Sequence, residues 1–302
     1  MTGARVMTGA RAKSLPTAVL VASLTLLSWL MAPVTAAHAG VAQQYMQINI
    51  CGNVCYAGAN TAGQDIANSA YSHGAHVVSI NEVCANQLTA AKNALAAKGL
   101  TYQAVFGQTI AAGNSALNSA CQGYGNGLLI RHTTSTAPAD SAERILLPDF
   151  GEDRMLLCAH IVAPSFRYCV THLSPGSSSA NEQNRNTQAI AVANKVNSYT
   201  TPVVLAGDFN TTPGSYVLDH IYGPYYTGAN GTGRFREVDA CASRTSQTST
   251  CNEGTHDAPF TTDPKIDYIF TTNNHFTISD GDATSSVTSD HDPLFGSVVR
   301  NF

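Results

Sequence analysis

At 302 residues, 44% of them hydrophobic and 12% charged, the chain is long enough to bury a sizeable core and too apolar to remain disordered. Its formal net charge of −4 argues against a surface that grips a nucleic-acid backbone by charge alone.

Residues 1–39 stand apart in character. Arg5, Arg11 and Lys13 precede an apolar run from Ala18 to Ala32, which is followed by Ala37-His38-Ala39. A basic, apolar, then small-x-small order reads as a secretory signal peptide cleaved after Ala39, leaving residues 40–302 as one domain. About 15 apolar residues fall short of the ~20 that span a bilayer, and no later stretch is apolar enough. Cleavage removes three basic residues and leaves 13 against 20 acidic ones, a net charge of −7. All eight cysteines follow the leader: Cys51, Cys55, Cys84, Cys121, Cys158, Cys169, Cys241 and Cys251. An even count in an exported chain points to disulfides, and proximity in sequence favours pairing them in that order. A zinc site lacks the paired C-x2-C spacing it would need.

Along the exported part, apolar and alternating runs predict strands near 45–50, 76–81, 102–106, 127–131, 155–162, 167–173, 203–207, 266–271 and 295–299. Helices are predicted near 61–73, 86–98 (closed by Gly99) and 180–198, the last capped by Ser179 or Asn181. This mixture implies an α/β sandwich. Residues 223–262, rich in Gly, Thr and Ser, read as a long loop clipped by Cys241 and Cys251.

Several of these strands end in polar residues. "YMQINI" leaves Gln47 and Asn49 on the face opposite Met46, Ile48 and Ile50; "VVSINE" ends in Asn81-Glu82; "RYCVTHL" ends in Thr171-His172. "VVLAGDFN" runs into Asp208 and Asn210, with Phe209 turned the other way. "KIDYIF" sets Asp267 in an apolar stretch, and "SVTSDHDP" places Asp290-His291 ahead of the last strand. Carboxylates, amides and two histidines at the ends of strands in a mixed sheet are the groups a hydrolytic metal site requires.

In that order, Asn49, Glu82, Thr171-His172-Leu173, Gly207-Asp208-Phe209-Asn210, Ile266-Asp267-Tyr268 and Ser289-Asp290-His291 resemble the endonuclease/exonuclease/phosphatase superfamily typified by deoxyribonuclease I. The resemblance runs from about residue 45 to the C-terminus. It implies a four-layer α/β/β/α sandwich of two mixed β-sheets flanked by helices, with the site where the sheets open at one edge. Two neighbours depart from the pattern: Asn81 stands where a Gln commonly precedes the acid, and Ile48 where an aromatic often precedes the amide.

The chemistry that the resemblance implies is divalent-metal-dependent phosphodiester hydrolysis. Glu82 is the expected principal metal ligand, with Asn49 and Asp290 completing the shell around Mg2+; Mn2+ or Ca2+ binds a similar oxygen set. His291 is the expected general base, oriented by Asp267, while Asp208 positions the water. Asn210 and His172 are expected to donate to the phosphate. Arg154 reads equally as a phosphate contact or as a salt-bridge partner of Glu152. Asn126 matches a recurrent family position, although turn chemistry accounts for it as well. Asp263 and Asp292, beside prolines, read as turn residues, and His256 and Asp257 as solvated.

The substrate expected is nucleic acid, DNA before RNA, acted on by a monomer outside the cell. The alternative is a secreted sphingomyelinase or phospholipase C type enzyme or a phosphatase. A non-catalytic binding or toxin-like member is the weakest reading. A lipid-directed enzyme calls for an exposed aromatic hairpin, for which "IYGPYYTG" (221–228) is the one suitable stretch. The mature chain has no Trp and no basic amphipathic stretch, which favours nucleic acid.

Overall fold

The computed structural model describes residues 42–133, 136–148, 150–226, 230–257, 263–285 and 287–301; the leader expected over 1–39 lies outside them. The alternating runs become β1 (Ala42–Asn49), α1 (Thr61–Ser72), β2 (Val77–Cys84), α2 (Ala85–Ala97), β3 (Tyr102–Ile110) and β4 (Tyr124–Arg131). There follow β5 (Ala139–Leu146), β6 (Met155–Val162), β7 (Ser165–His172), α3 (Ser179–Asn197) and β8 (Val203–Asp208). A 3-10 turn at Tyr216–His220 leads to β9 (Phe235–Glu237), β10 (Asp267–Thr272), β11 (Phe276–Ala283) and β12 (Leu294–Arg300).

The strands form two six-stranded sheets, in the orders β11-β12-β1-β2-β4-β3 and β5-β6-β7-β8-β10-β9. Each has one parallel pair at its centre, β1 with β2 and β7 with β8, and antiparallel neighbours elsewhere. Helix α1 makes the crossover between β1 and β2, and α3 that between β7 and β8, so each sheet is built around one βαβ unit.

The pleat sorts the side chains into layers. Tyr45, Val77 and Leu128 of the first sheet pack against Leu157, Tyr168, Val204 and Ile269 of the second. On the outer faces, Ile48, Ile80 and Leu129 meet Ile66, Leu88 and Leu95 of α1 and α2, while Leu205 and Phe270 meet Val192 and Val196 of α3. This is the expected four-layer sandwich.

Three strands, β5, β9 and β11, do not follow from the sequence pattern. All three are sheet edges. An edge strand is covered on fewer sides, so it need not carry alternating apolar residues; β5 and β11 are largely exposed on one face, and β9 has only three residues. The segment read as a continuous loop over 223–262 therefore holds a short strand. The cap of α3 is Ser178, whose Oγ accepts from Asn181 N–H at 3.2 Å, instead of Ser179 or Asn181.

The four disulfides are Cys51–Cys55, Cys84–Cys121, Cys158–Cys169 and Cys241–Cys251, the pairing that proximity favours. Cys84–Cys121 closes the longest loop, spanning 37 positions, worth about 4 kcal/mol of chain entropy. It ties the segment after Glu82 to the loop that enters β4. No helix among the described residues is long and apolar enough to cross a membrane.

Candidate active site

The inner faces of the central strands change character along their length. β1 runs Tyr45, Gln47, Asn49; β2 runs Val77, Ser79, Asn81; β7 runs Tyr168, Val170, His172; and β8 runs Val204, Ala206, Asp208. In each the apolar end sits in the inter-sheet core and the polar end lies at the carboxyl terminus of a strand in a parallel pair. β10 runs antiparallel to β8, so its first residue, Asp267, lies opposite Asp208. One edge of the sandwich thus collects the polar ends of five strands.

Backbone geometry sharpens the arrangement. The β2–β4 register shifts between Ile80 and Val83, and Glu82 lies within that shift at φ +56°. A non-glycine residue there costs on the order of 1–2 kcal/mol, a cost characteristic of functional positions. Asn210 turns through φ +52° after β8, a conformation Asn tolerates. Gly207 has φ +145°, and a Cβ there would lie 1.9 Å from the Thr171 carbonyl oxygen. Only glycine allows β7 and β8 to approach closely enough to bring His172 beside Asp208.

Asp208 is the centre of the cluster. Its Oδ2 accepts from Asn49 Nδ2 at 3.1 Å and Asn210 Nδ2 at 3.3 Å, and lies 3.3 Å from His172 Nε2 and 3.9 Å from His291 Nε2. Its Oδ1 accepts from the Asn210 backbone N–H at 2.7 Å. Burial pushes this carboxyl up, but the hydrogen bond from His172, the charge of His291 and the Asn210 N–H prevail and hold it well below the usual carboxylate range.

His291 Nδ1 lies 2.7 Å from Asp267 Oδ2, and Asp267 Oδ1 accepts from Gln47 Nε2 at 3.2 Å. Burial disfavours charge on both partners. Asp267 stays above its ordinary value through burial and the Asp208 charge. For His291 the attraction of Asp267 outweighs burial, and the imidazole is raised to about 10. The carboxylate behind its Nδ1 thus favours a proton on the His291 ring.

Seven expected residues therefore meet: Asn49, Glu82, His172, Asp208, Asn210, Asp267 and His291. Glu82 accepts from Asn49 Nδ2 at 3.1 Å and lies 3.9 Å from His172 Nε2. The side-chain Oδ1 of Asn49 accepts from Cys51 N–H at 3.0 Å, while its Nδ2 donates to both the Glu82 and Asp208 carboxylates. Asp290 is exposed beside the cluster, with Oδ1 3.8 Å from Cys55 Sγ. Among the described residues, Cys51, Cys55 and Asp290 form a group of possible ligand atoms within 4.8 Å, but the two sulfurs share a disulfide and provide no thiolate. Glu82 and Asp290 are hard oxygen donors of the kind a small divalent cation takes.

Asn126 lies one layer below the cleft, donating to the Met155 carbonyl and accepting from Asn81. Arg154 contacts His172 and Glu152. His256 is not simply solvated: its backbone bridges to that of His291, and the two rings meet edge-to-face at 4.6 Å. Phe209 packs behind the site against Tyr268 and Phe270. In the tyrosine-rich stretch, Tyr222 is fully buried and Tyr226 packs on it, leaving Tyr225 exposed; residues 227–228 lie outside the described set.

Two supporting residues have roles that the sequence does not assign. Asn81 is fully buried and uses all its amide capacity: Oδ1 accepts from Gln47 Nε2 (2.7 Å) and Asp208 N–H (2.8 Å), and Nδ2 donates to Asn126 Oδ1 (2.9 Å) and the Thr171 carbonyl (3.0 Å). Thr255 Oγ1 accepts from both Ile266 and Asp267 N–H at 3.0 Å. An amide ending an apolar strand was a visible signal for Asn81; a loop threonine gave none. A depression of about 690 Å3 on the α1–α2 face is lined by amides, alanines and Thr89, without any titratable side chain. The cluster of titratable groups lies instead at the sheet edge.

Residues 46–291 match the model of the "Endonuclease/Exonuclease/phosphatase family". A family protein from Bacteroides thetaiotaomicron superposes with a TM-score of 0.65 at 16% identity, over 87% of this chain and 99% of that one. D. rerio TDP2, complexed with single-strand DNA product, gives 0.64 at 17% identity over 85% and 99%. A B. thetaiotaomicron mannosyl-6-phosphatase gives 0.61 at 17% identity over 85% and 99%. No curated protein sequence gives a significant match.

Proposed function

The chain belongs to the endonuclease/exonuclease/phosphatase family, and from that premise we propose that it is a divalent-metal-dependent phosphodiesterase acting on nucleic acid, DNA first, outside the cell. The observation carrying this reading is the convergence of Asn49, His172, Asn210 and His291 on one carboxylate oxygen of Asp208. Such a cluster can hold a water and a phosphoryl group within reach of one another.

Glu82 and Asp290 would hold the cation, and Asn49 keeps Glu82 in place. When bound, the ion supplies positive charge that polarises the phosphoester and offsets the carboxylates keeping His291 protonated. In its neutral form, His291 takes a proton from the attacking water at Nε2, and Asp267 stabilises the imidazolium that results. The water oxygen bonds to phosphorus as the bond to the leaving oxygen breaks. Asp208 orients the water, while Asn210 and His172 donate to non-bridging oxygens as charge builds there.

The DNA-bound neighbour and the exposed Tyr216 and Tyr225, which offer surfaces for base stacking, support nucleic acid. The inward Tyr222 and Tyr226 leave little of the aromatic hairpin that a lipid-directed enzyme would need. The phosphatase neighbour keeps small phosphoesters in the test. Supercoiled plasmid, sphingomyelin and a hexose phosphate are incubated with the purified protein, with and without EDTA. Plasmid nicking that EDTA abolishes and Mg2+ restores is the expected result; turnover of another substrate alone would redirect the assignment, and EDTA-resistant turnover would remove the cation.

The leader pattern and four disulfides support export. Protein recovered from the culture medium should have the mass of residues 40–302. An intact mass including residues 1–39 would contradict it.

A further inference from the structure

Two histidines face the same Asp208 oxygen, yet different groups stand behind them. Behind His291 is a carboxylate acceptor, Asp267. Behind His172 is a guanidinium: Arg154 Nη1 lies 2.8 Å from His172 Nδ1, and Arg154 Nη2 donates to Glu152 Oε2 at 3.0 Å. Arg154 is only 5% exposed.

A guanidinium has donors and no acceptor. At 2.8 Å the imidazole Nδ1 must therefore offer its lone pair, which puts the ring proton on Nε2. The other side of the ring agrees, because Nε2 faces Asp208 Oδ2 at 3.3 Å and Glu82 Oε1 at 3.9 Å. The opposite tautomer would set two N–H groups against each other and point a lone pair at two carboxylates.

We propose that Arg154 is a positioning residue: it fixes His172 as the Nε2–H tautomer, so that this ring presents a hydrogen-bond donor, never a base, to a phosphoryl oxygen in the cleft. The proposal rests on the phosphoester reading of the site for its catalytic meaning. It also sets aside a direct phosphate contact by Arg154. Nη1 and Nη2 of Arg154 each already bond a protein partner, and the notch beside the guanidinium has a volume of about 10 Å3, too small for a phosphate and roughly the room one water requires. The two histidines are thus sorted by their rear partners: a donor behind one keeps it a donor in the cleft, and an acceptor behind the other makes it a proton acceptor.

The ring nitrogens of His172 in 15N-labelled protein test this without substrate, through long-range 1H–15N correlations assigned by comparison with His172→Gln. Wild-type protein is expected to show an unprotonated Nδ1 and a protonated Nε2. In Arg154→Met the Nδ1 resonance should move toward the protonated range, and kcat should fall about tenfold to a hundredfold with KM changed less than about twofold. Arg154→Lys, which still offers an N–H to Nδ1, should restore the wild-type ring signals and most of kcat. A protonated Nδ1 in wild type, or unchanged ring signals in Arg154→Met, overturns the proposal. So does a rise in KM alone, the mark of a direct phosphate contact. Wild-type ring signals as expected, in a protein that hydrolyses no phosphoester, would reject the assigned function and leave the positioning role standing.

Discussion

On the proposed mechanism, His291→Asn should slow phosphodiester turnover by about 10²- to 10⁴-fold, the range for loss of a general base, and leave the fold nearly as stable as before. Asparagine can place its amide N–H close to where Nδ1 stands, so Asp267 keeps a donor while the cleft loses Nε2. His291→Ala should lose turnover to the same degree and, in addition, about 3 kcal/mol of stability, because removing one partner leaves the Asp267 carboxylate buried without its ion pair. Initial rates on the preferred substrate, with urea unfolding of all three proteins, check both halves. Near-normal turnover in the asparagine variant would retire His291 as the base; equal stability of the two variants would mean that the pair with Asp267 contributes nothing to the fold.

Asp208→Asn should reduce turnover by about 10³-fold, comparable with removal of a preorganised group that acts on the transition state. The cause differs from that at position 291. The carboxylate receives donors from Asn49, Asn210 and His172, and an amide replacing it turns an N–H toward at least one of them, at a cost on the order of 1–3 kcal/mol. The donors meant for water and phosphate then lose their common reference point. Because Asp208 and His291 act as a unit in the proposed mechanism, the double variant with His291→Asn should be little slower than the poorer single variant. Fully multiplicative losses would show that the two residues serve separate steps.

Much of this site is legible in the sequence, for a physical reason. A polar residue at the end of an apolar strand leaves a mark in sequence, and Asn49, Glu82, His172, Asp208, Asp267 and His291 each left one. The layer architecture followed from the mixture of periods and from the resemblance those residues carry. What could not be read depends on which strands face one another. Gln47 was visibly on the inner face, but its bond to Asp267 crosses between sheets. The rear partner of His172 comes from β6's entry loop, 18 positions away. The Asn49 amide visibly ends β1, but the carboxylates it donates to belong to β2 and β8. The edge strands β5, β9 and β11 lacked the two-sided burial that writes a pattern.

Asn81 carries a consequence for how such a scaffold can diversify. Its single amide joins β1, β4, β7 and β8 with every donor and acceptor used, so at this edge the sheets have one permitted mutual alignment. Sliding either sheet by a residue would strand four buried polar groups at once. Change in substrate preference must therefore come from the surrounding segments, above all the cystine-tied turns at 51–55 and 241–251, which can be exchanged in length and chemistry while the reacting atoms stay in place.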